Sequence, residues 1–287
     1  MKRPYLCFLF LLIISLSFIS CEYKDLCYEH PHRMKVKVEF DWQKISIAMP
    51  RWMEVWLFPL DGGKALHFQI SDYENGYIHV VPGKYRALCY NGDTNAIYED
   101  GIDDFYSFTL TAKDIQPERM VCASISLVDV RLSYEDQTLR FAPEDGVMDV
   151  TVTIHDVRNL KSTNGLKVLF SGMASGFCVA MSQCTEESQT LYSEMEKEDS
   201  TTLQSRFVSF GHCSVMEVEH IFSVVASTDD GSLNAYHWNV TERVHAKEQD
   251  PHHVRIDLYG LELPKDLGSD NGMSPYVDGW QNVWIKI

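Results

Sequence analysis

The dominant pattern along the chain is an alternation of apolar and polar residues with a period of two. Four runs show it clearly: residues 34–40, 148–155, 218–224 and 253–258. A period of two predicts strands with one face on a core and the other toward solvent. Asn-Gly and Asp-Gly pairs lie between the apolar runs and indicate hairpin turns, because these residues tolerate a positive φ. The pattern therefore predicts an all-β protein of antiparallel β-sandwiches with few helices.

A polar stretch, residues 133–146, separates two strand-rich halves. It contains turn-forming residues such as Pro143, which are typical of connections between elements. We place a domain junction near it and expect an N-terminal β-sandwich over residues 34–135 and a C-terminal β-sandwich over residues 146–287. A chain of 287 residues is long enough for two such domains. Residues 191–202 lack an apolar stripe, and we expect a charged loop there.

The first twenty residues form a signal peptide rather than part of the fold. Lys2 and Arg3 give a basic start, and the apolar run over residues 6–19 is shorter than the roughly 20 residues that span a bilayer. Ser20 then stands directly before Cys21. This arrangement resembles a bacterial lipoprotein signal, in which cleavage between these two residues leaves the cysteine acylated.

Phe18 departs from the leucine that usually precedes the cysteine by three positions. An ordinary secretory signal cut elsewhere and an uncleaved signal anchor therefore stay open as alternatives. If Cys21 is acylated, each buried methylene contributes about 0.8 kcal/mol, and two or more chains anchor a protein stably. Residues 21–33 would then be a lipidated linker. Residues 22–25 resemble the acidic signals that send some Bacteroidota lipoproteins to the outer face, so we expect a lipid anchor in the outer membrane and a surface-exposed body.

The charge of the chain excludes several classes of partner. There are 41 acidic and 25 basic residues, which gives a formal net charge of −16. Loss of the signal peptide removes two further positive charges and brings the net charge to −18. An acidic chain without a basic cluster does not bind nucleic acid, and it is repelled by anionic membrane surfaces.

A search for catalytic motifs finds none. The segment from Gly172 to Gly176 places its serine one position too late for a nucleophile elbow. The sequence contains no His-Glu-x-x-His motif, no Walker loop and no dinucleotide-binding glycine motif. We therefore predict that the protein is not an enzyme, that it has no catalytic residues and that it needs no cofactor.

Three groupings of histidine deserve consideration as metal ligands. They are Cys27 with His30 and His32, the pair His252-His253, and His212 beside Cys213. Pro31 stiffens the first grouping, and the side chains of the second would point to opposite faces of a strand. All three are more typical of loop or core residues, so we predict no metal site.

Six cysteines follow Cys21, and in an oxidising compartment they permit 15 complete pairings. Cys89 and Cys122 lie in apolar strand contexts, where a buried free thiol is as reasonable as a disulfide. The sequence does not choose between these alternatives.

Several segments in order resemble the fimbrillin-type lipoproteins of Bacteroidota. They are the cysteine after the signal, residues 25–32, residues 81–91, residues 169–176 and the region from residue 227 to the end. The resemblance implies two tandem transthyretin-like β-sandwiches and a fimbrial anchor, accessory or tip subunit that acts in pilus assembly or adhesion. It also implies other fimbrial subunits as partners, joined by β-strand addition, because shaft subunits of this family polymerise by strand exchange.

Strand exchange in this family implies two regions of interest. Arg33 and Arg51 flank the first predicted strand and could be sites of proteolytic processing, although each could equally be a solvated loop cation. An anchor subunit needs no cut. The final strand is a candidate strand-exchange edge, and its apolar residues are Val283, Trp284, Ile285 and Ile287. The alternative is that this strand completes the second sandwich.

A second functional hypothesis is a carbohydrate-binding surface lipoprotein of a glycan-uptake system. Its basis is the presence of six tryptophans, since exposed indole rings stack on sugars. Trp52 and Trp56 are four residues apart and so are Trp280 and Trp284. That spacing places each pair on one face of a strand, which fits core packing at least as well.

Overall fold

Strands make up nearly all of the regular structure, so the predicted all-β class is confirmed. The structure is a computed structural model, and it describes residues 32–94, 97–102, 104–113, 116–133, 135–213, 218–246, 250, 252–267 and 281–284. Within these ranges the single helix is α1, Thr241–Val244. No helix in the described part of the chain combines the length and apolar character needed to cross a membrane.

Ten strands precede residue 146. They are β1 (Met34–Phe40), β2 (Met53–Pro59), β3 (Leu66–Ile70), β4 (Tyr77–Val80), β5 (Gly83–Asn91), β6 (Ile97–Asp100), β7 (Thr109–Ala112), β8 (Val121–Val130), β9 (Gln137–Phe141) and β10 (Glu144–Asp145). Two connections are turns of two residues, between β4 and β5 and between β9 and β10, and the others have five to twelve residues. Asp61-Gly62 and Asn75-Gly76 lie in the connections that follow β2 and β3, as predicted.

The remaining described strands follow residue 146. They are β11 (Met148–His155), β12 (Leu166–Ala174), β13 (Gly176–Cys178), β14 (Gln183–Cys184), β15 (Ser188–Ser193), β16 (Glu196–Lys197), β17 (Leu203–Ser209), β18 (Ile221–Ser227), β19 (Leu233–Asn239), β20 (His253–Tyr259) and β21 (Gln281–Trp284). β15 and β16 occupy much of the segment expected to be a charged loop. That expectation is wrong at its start, where Leu191 is buried and anchors β15 in a sheet.

The strands form five sheets. Their strand orders are β4-β1-β9 in sheet 1, β10-β8-β5-β2-β3 in sheet 2, β14-β13-β7-β6 in sheet 3, β16-β17-β11-β20 in sheet 4 and β15-β12-β18-β19-β21 in sheet 5. β9 and β10 lie inside the predicted junction and pair with strands of the first half. Sheet 3 joins the halves, because β7 of the first pairs with β13 of the second. The division into two domains stays a prediction.

The central strands of sheet 2, β2 and most of β5, are buried on both faces. Along β2, Val55 and Leu57 lie in the core shared with sheet 1, whereas Trp56 and Phe58 lie in a second core that includes Leu110 of sheet 3. Successive side chains of a strand point to opposite faces, so a strand covered on both sides is apolar at almost every position. The expectation of half-buried strands is wrong for β2 and for most of β5.

A separate core fills the second half between sheets 4 and 5. Sheet 4 contributes alternate residues of β11, among them Val152 and Ile154, and sheet 5 contributes Phe170, Phe222 and Trp238. The intervening residues of β11 are only partly buried. Here the period-two pattern predicted the buried face correctly.

Candidate functional site: strand β1 and the sheet edges

Strand β1 is the middle strand of sheet 1. It runs antiparallel to β4, with Met34 opposite Val80, and parallel to β9, with Phe40 opposite Phe141. Its backbone is therefore hydrogen-bonded on both sides. The fimbrillin resemblance leaves two possible arrangements for the first strand, a permanent sheet edge or a plug between two neighbouring strands. Pairing on both sides shows that the edge arrangement is wrong.

The inward face of β1 is apolar. Val36 and Val38 are 3% and 0% exposed, and the ring of Phe40 stacks on Phe141 at 5.8 Å and on Trp42 at 5.2 Å. Burial of one such aliphatic or aromatic side chain stabilises a fold by about 1.5–3 kcal/mol. Removal of β1 would therefore open an apolar groove between β4 and β9.

The outward face of β1 carries a charged network. Lys37 Nζ donates to Glu39 Oε1 at 2.9 Å, and Arg140 Nη2 of the neighbouring β9 donates to Glu39 Oε2 at 2.8 Å. These hydrogen bonds hold the pKa of the Glu39 carboxyl below its ordinary value, the one from Arg140 most strongly. Because the network is solvent-exposed, it contributes little to stability compared with the buried face.

The two arginines that flank β1 are both accessible. Arg33 is exposed, and the side chain of Arg51 is 77% exposed. The Arg51 backbone N–H donates to Asp93 Oδ2 at 2.8 Å, and its guanidinium lies 5.4 Å from the centre of the Trp52 ring. No strand lies between β1 and β2. A cut after Arg51 would separate β1 from the rest of the chain without breaking another strand.

The final described strand, β21, lies at one end of sheet 5. It runs parallel to β19, with Val283 opposite Tyr236 and Trp284 opposite His237. The strand therefore belongs to a sheet of the second half. Among the described residues its outer side has no neighbouring strand, so it is a sheet edge. Ile285 and Ile287 lie outside the described residues, and the strand-exchange role stays a prediction.

Ser20 and Cys21, the predicted cleavage and lipidation positions, also lie outside the described residues. Lipidation stays a prediction from the sequence.

The tryptophans that the structure describes do not form a sugar-stacking platform. Trp56 is 8% exposed, and its ring stacks on His67 at 4.1 Å. Trp238 is buried, and Trp52 is partly buried. Trp280 lies outside the described residues. Carbohydrate binding stays a prediction from the sequence.

One cluster of three histidines was not predicted from the sequence. His212, His220 and His245 converge, with candidate ligand atoms within 4.8 Å of one another. Burial lowers the pKa of His220 to about 4, and the nearby His245 and His212 rings contribute to this shift. Burial also lowers the pKa of His212. The sequence offered no usable signal, because His220 belonged to an alternating strand pattern and His245 lies 25 residues further along.

The fold defines the chain as a strand-rich protein of the architecture seen in bacterial fimbrial anchors and adhesins. A crystal structure titled as a “putative adhesin” from Bacteroides ovatus has 18% identity and a TM-score of 0.66, over 85% of this chain and 98% of that one. The fimbrial anchor protein Mfa2 from Porphyromonas gingivalis has 13% identity and a TM-score of 0.53, over 79% of this chain and 90% of that one. These identities establish similarity of fold.

The family follows from the sequence itself. Residues 20–194 match the family described as Domain of unknown function (DUF5119), and this chain belongs to it. A curated protein from Bacteroides ovatus, named “Putative fimbrium anchoring subunit Fim4B”, is 20% identical over 205 residues. That match covers 67% of this chain and 61% of the relative, so the chain spans less than two thirds of the relative's length. The resemblance to fimbrillin-type proteins is confirmed.

Proposed function

We propose that this protein is a lipid-anchored cell-surface protein that serves as a fimbrial anchor, accessory or tip subunit in pilus assembly or adhesion. The observation that carries the proposal is the arrangement of β1. It is the first strand of the described part of the chain, paired on both sides, with an apolar inward face and accessible arginines before and after it. The similarity to Fim4B and the fold shared with Mfa2 support the same role.

β-strand addition would join this subunit to its neighbours. An extended segment from another subunit satisfies the main-chain hydrogen bonds of an open edge, while alternate side chains fill pockets in the core. If β1 stays in place, the groove between β4 and β9 remains filled and the partner must use another edge, such as β21. If processing after Arg51 removes β1, the partner strand would occupy the groove itself.

Attachment to the outer membrane would depend on Cys21. Its acyl chains would provide the anchoring energy that an acidic protein cannot gain from anionic lipids. The proposed role is structural, so we expect no enzymatic activity.

Metabolic labelling with palmitate tests the anchor. We expect the label on the wild-type chain and its loss in Cys21→Ser, whereas Cys27→Ser, six residues away, should keep it. Cell fractionation should place the wild-type chain in the outer membrane and release Cys21→Ser. A wild-type chain without label would contradict lipid anchoring.

Co-expression with fimbrial subunits tests strand addition. We expect the wild-type chain to form complexes that withstand detergent, as a buried added strand would. Truncation before Val283 distinguishes the two routes, because it abolishes these complexes if β21 is the acceptor edge and leaves them intact if the β1 groove is used. Absence of complexes for the wild-type chain would contradict a fimbrial role.

A further inference from the structure

Three imidazoles from three separate segments meet at one end of the second half. His212 follows β17, His220 directly precedes β18, and His245 directly follows α1. The ring centres lie 5.6 Å apart for His212 and His220, 4.4 Å for His212 and His245, and 4.9 Å for His220 and His245.

The fold fixes the position of His220. Its side chain is fully buried, its backbone N–H donates to Thr241 Oγ1 at 2.9 Å, and its carbonyl accepts from the Val240 N–H at 2.8 Å. Gly172 has a φ of +81°, and a Cβ there would lie 2.5 Å from His220 Nδ1. A glycine is therefore needed beside this ring. The same bonds tie His220 to the start of α1, which carries His245 at its other end.

The nitrogen atoms have a geometry suited to a metal ion. His220 Nε2 lies 2.9 Å from His245 Nε2. Nitrogens bound to zinc at about 2.0–2.1 Å lie about 3.4 Å apart in a tetrahedral site and closer at smaller angles. At 2.9 Å the two nitrogens share a hydrogen bond, so binding of one ion requires them to give up the shared proton and to move apart by about 0.5 Å. The candidate ligand atoms of the three histidines lie within 4.8 Å of one another. Rotation of the partly exposed His212 ring and the exposed His245 ring can bring these atoms closer together.

One further contact suits a ligand role. His212 Nδ1 lies 3.4 Å from the Cys213 carbonyl, and a hydrogen bond there leaves Nε2 as the atom with a free lone pair. A backbone carbonyl on the second ring nitrogen is the usual way in which a ligand histidine is oriented.

An ion could reach this cluster from solvent. His212 and His245 line a cavity of about 620 Å³, together with Cys184, Asp250 and His252. The cavity provides an entry path and room for a fourth ligand, such as water. The net charge of −16 also raises the local concentration of cations.

We propose that His212, His220 and His245 bind one divalent transition-metal ion of the zinc type, with a fourth coordination position open to the cavity. Imidazole favours Zn²⁺, Cu²⁺ and Ni²⁺, whereas Ca²⁺ and Mg²⁺ require oxygen ligands. The bound ion would link the end of β17, the start of β18 and α1. The ion would be a cross-link between these segments, and the described cysteines, which are all free thiols, provide no disulfide that does the same.

Calorimetric titration of the untagged full-length chain with Zn²⁺, after EDTA treatment and at neutral pH, tests the proposal. We expect one ion per chain and no binding of Ca²⁺ or Mg²⁺. His245→Ala and His212→Ala should each weaken Zn²⁺ binding by more than tenfold, because even the loss of a second-shell partner costs about 10–100-fold. His220→Ala is omitted, since it would leave a hole in a buried region.

His252→Ala and Cys184→Ser are matched controls, because both residues line the cavity but lie outside the three-histidine cluster. Each should keep wild-type affinity. Circular dichroism checks that every variant is folded, and the visible spectrum of bound Co²⁺ reports nitrogen coordination independently. No Zn²⁺ binding by the wild-type chain would overturn the proposal. So would binding that survives His245→Ala and His212→Ala but is lost in Cys184→Ser.

Discussion

Strands β1 and β11 occupy equivalent places in the two halves of the molecule. Each has an antiparallel neighbour on one side and a parallel neighbour on the other, β4 and β9 for β1, and β17 and β20 for β11. The parallel neighbour is in each case a late strand of the same half. The same topology thus occurs twice.

The two strands differ in how firmly the fold holds them. β11 buries Met148, Val150, Val152 and Ile154, and both its neighbours pair with it along almost its whole length. β1 buries Val36 and Val38 and pairs with β4 only over residues 34–37. β11 also lies in the middle of the chain, whereas a single cut can free β1. The comparison leads us to expect that one topology provides a permanent strand in one half and a replaceable strand in the other.

The largest expected effect is all-or-none. We would insert a specific protease site after Ala48, which is exposed and lies between β1 and β2. After the site is cut, we expect β1 to exchange with a fluorescent peptide of residues 32–41. Alternation of apolar residues lets the peptide refill the same pockets. Incorporation is measured by native gel fluorescence.

A matched cut after Lys161, between β11 and β12, provides the control. β11 should not exchange with a peptide of residues 146–156, because both its neighbours pair with it along almost its whole length and its apolar face lies in the core between sheets 4 and 5. Equal exchange in the two cut proteins would remove the distinction between the strands, as would no exchange in either.

A change in the core of β11 comes next in size. Ile154 is 0% exposed, so Ile154→Ala should lower the free energy of unfolding by about 2–5 kcal/mol through lost burial and a residual cavity. Ile154→Val should cost only about 0.5–1.5 kcal/mol. Urea denaturation measures both. A loss under 1 kcal/mol for Ile154→Ala would show that β11 is not the firmly held strand.

The rate of cysteine alkylation should also differ between the two halves, but by a smaller margin. Burial raises the pKa of Cys122 in the first half to about 12 and that of the partly exposed Cys184 in the second half to about 11. With iodoacetamide at pH 8, we expect slow alkylation of Cys184 first and protection of Cys122 until the protein unfolds. Mass spectrometry locates the label, and Cys184→Ser confirms its assignment. Labelling of Cys122 before Cys184 would contradict the burial described here.

The smallest effect concerns the outward face of β1. The folded-state pKa of Glu39 is below its ordinary value of 4.5, so its contribution to stability is present above pH 4.5 and is lost as the pH falls through the folded-state pKa. Glu39→Gln should lower the Tm slightly at pH 7, and this difference should shrink at pH 3. High salt should also reduce it, because the network is exposed. A Tm difference that grows on acidification would contradict the network.

Much of the fold could be predicted from local pattern. β1, β11 and β20 lie where period-two runs stand in the sequence, because each has one face on a core. The run over residues 218–224 only overlaps β18 (Ile221–Ser227), and the expectation of a half-buried strand is wrong there, because residues 222–226 are all buried. β2 could not be predicted in the same way, since a strand buried on both faces loses its alternation. β15 was missed because a single buried leucine among polar residues gives no periodic signal.

The candidate sites follow the same division. The lipoprotein-like signal with Cys21 and the arginines around β1 are linear features, so they could be named from the sequence. The three-histidine cluster could not, because its members belong to segments that only the folded chain brings together.

The sequence by itself determined the all-β class, the positions of many strands and the acidity of the protein, because alternation, turn residues and charge act locally. Tertiary structure alone decided which strands are neighbours, that β1 lies between two others, and that His212, His220 and His245 meet. These are contacts between residues far apart in the chain. They are selected by the joint burial of several strands, which no single run of residues encodes.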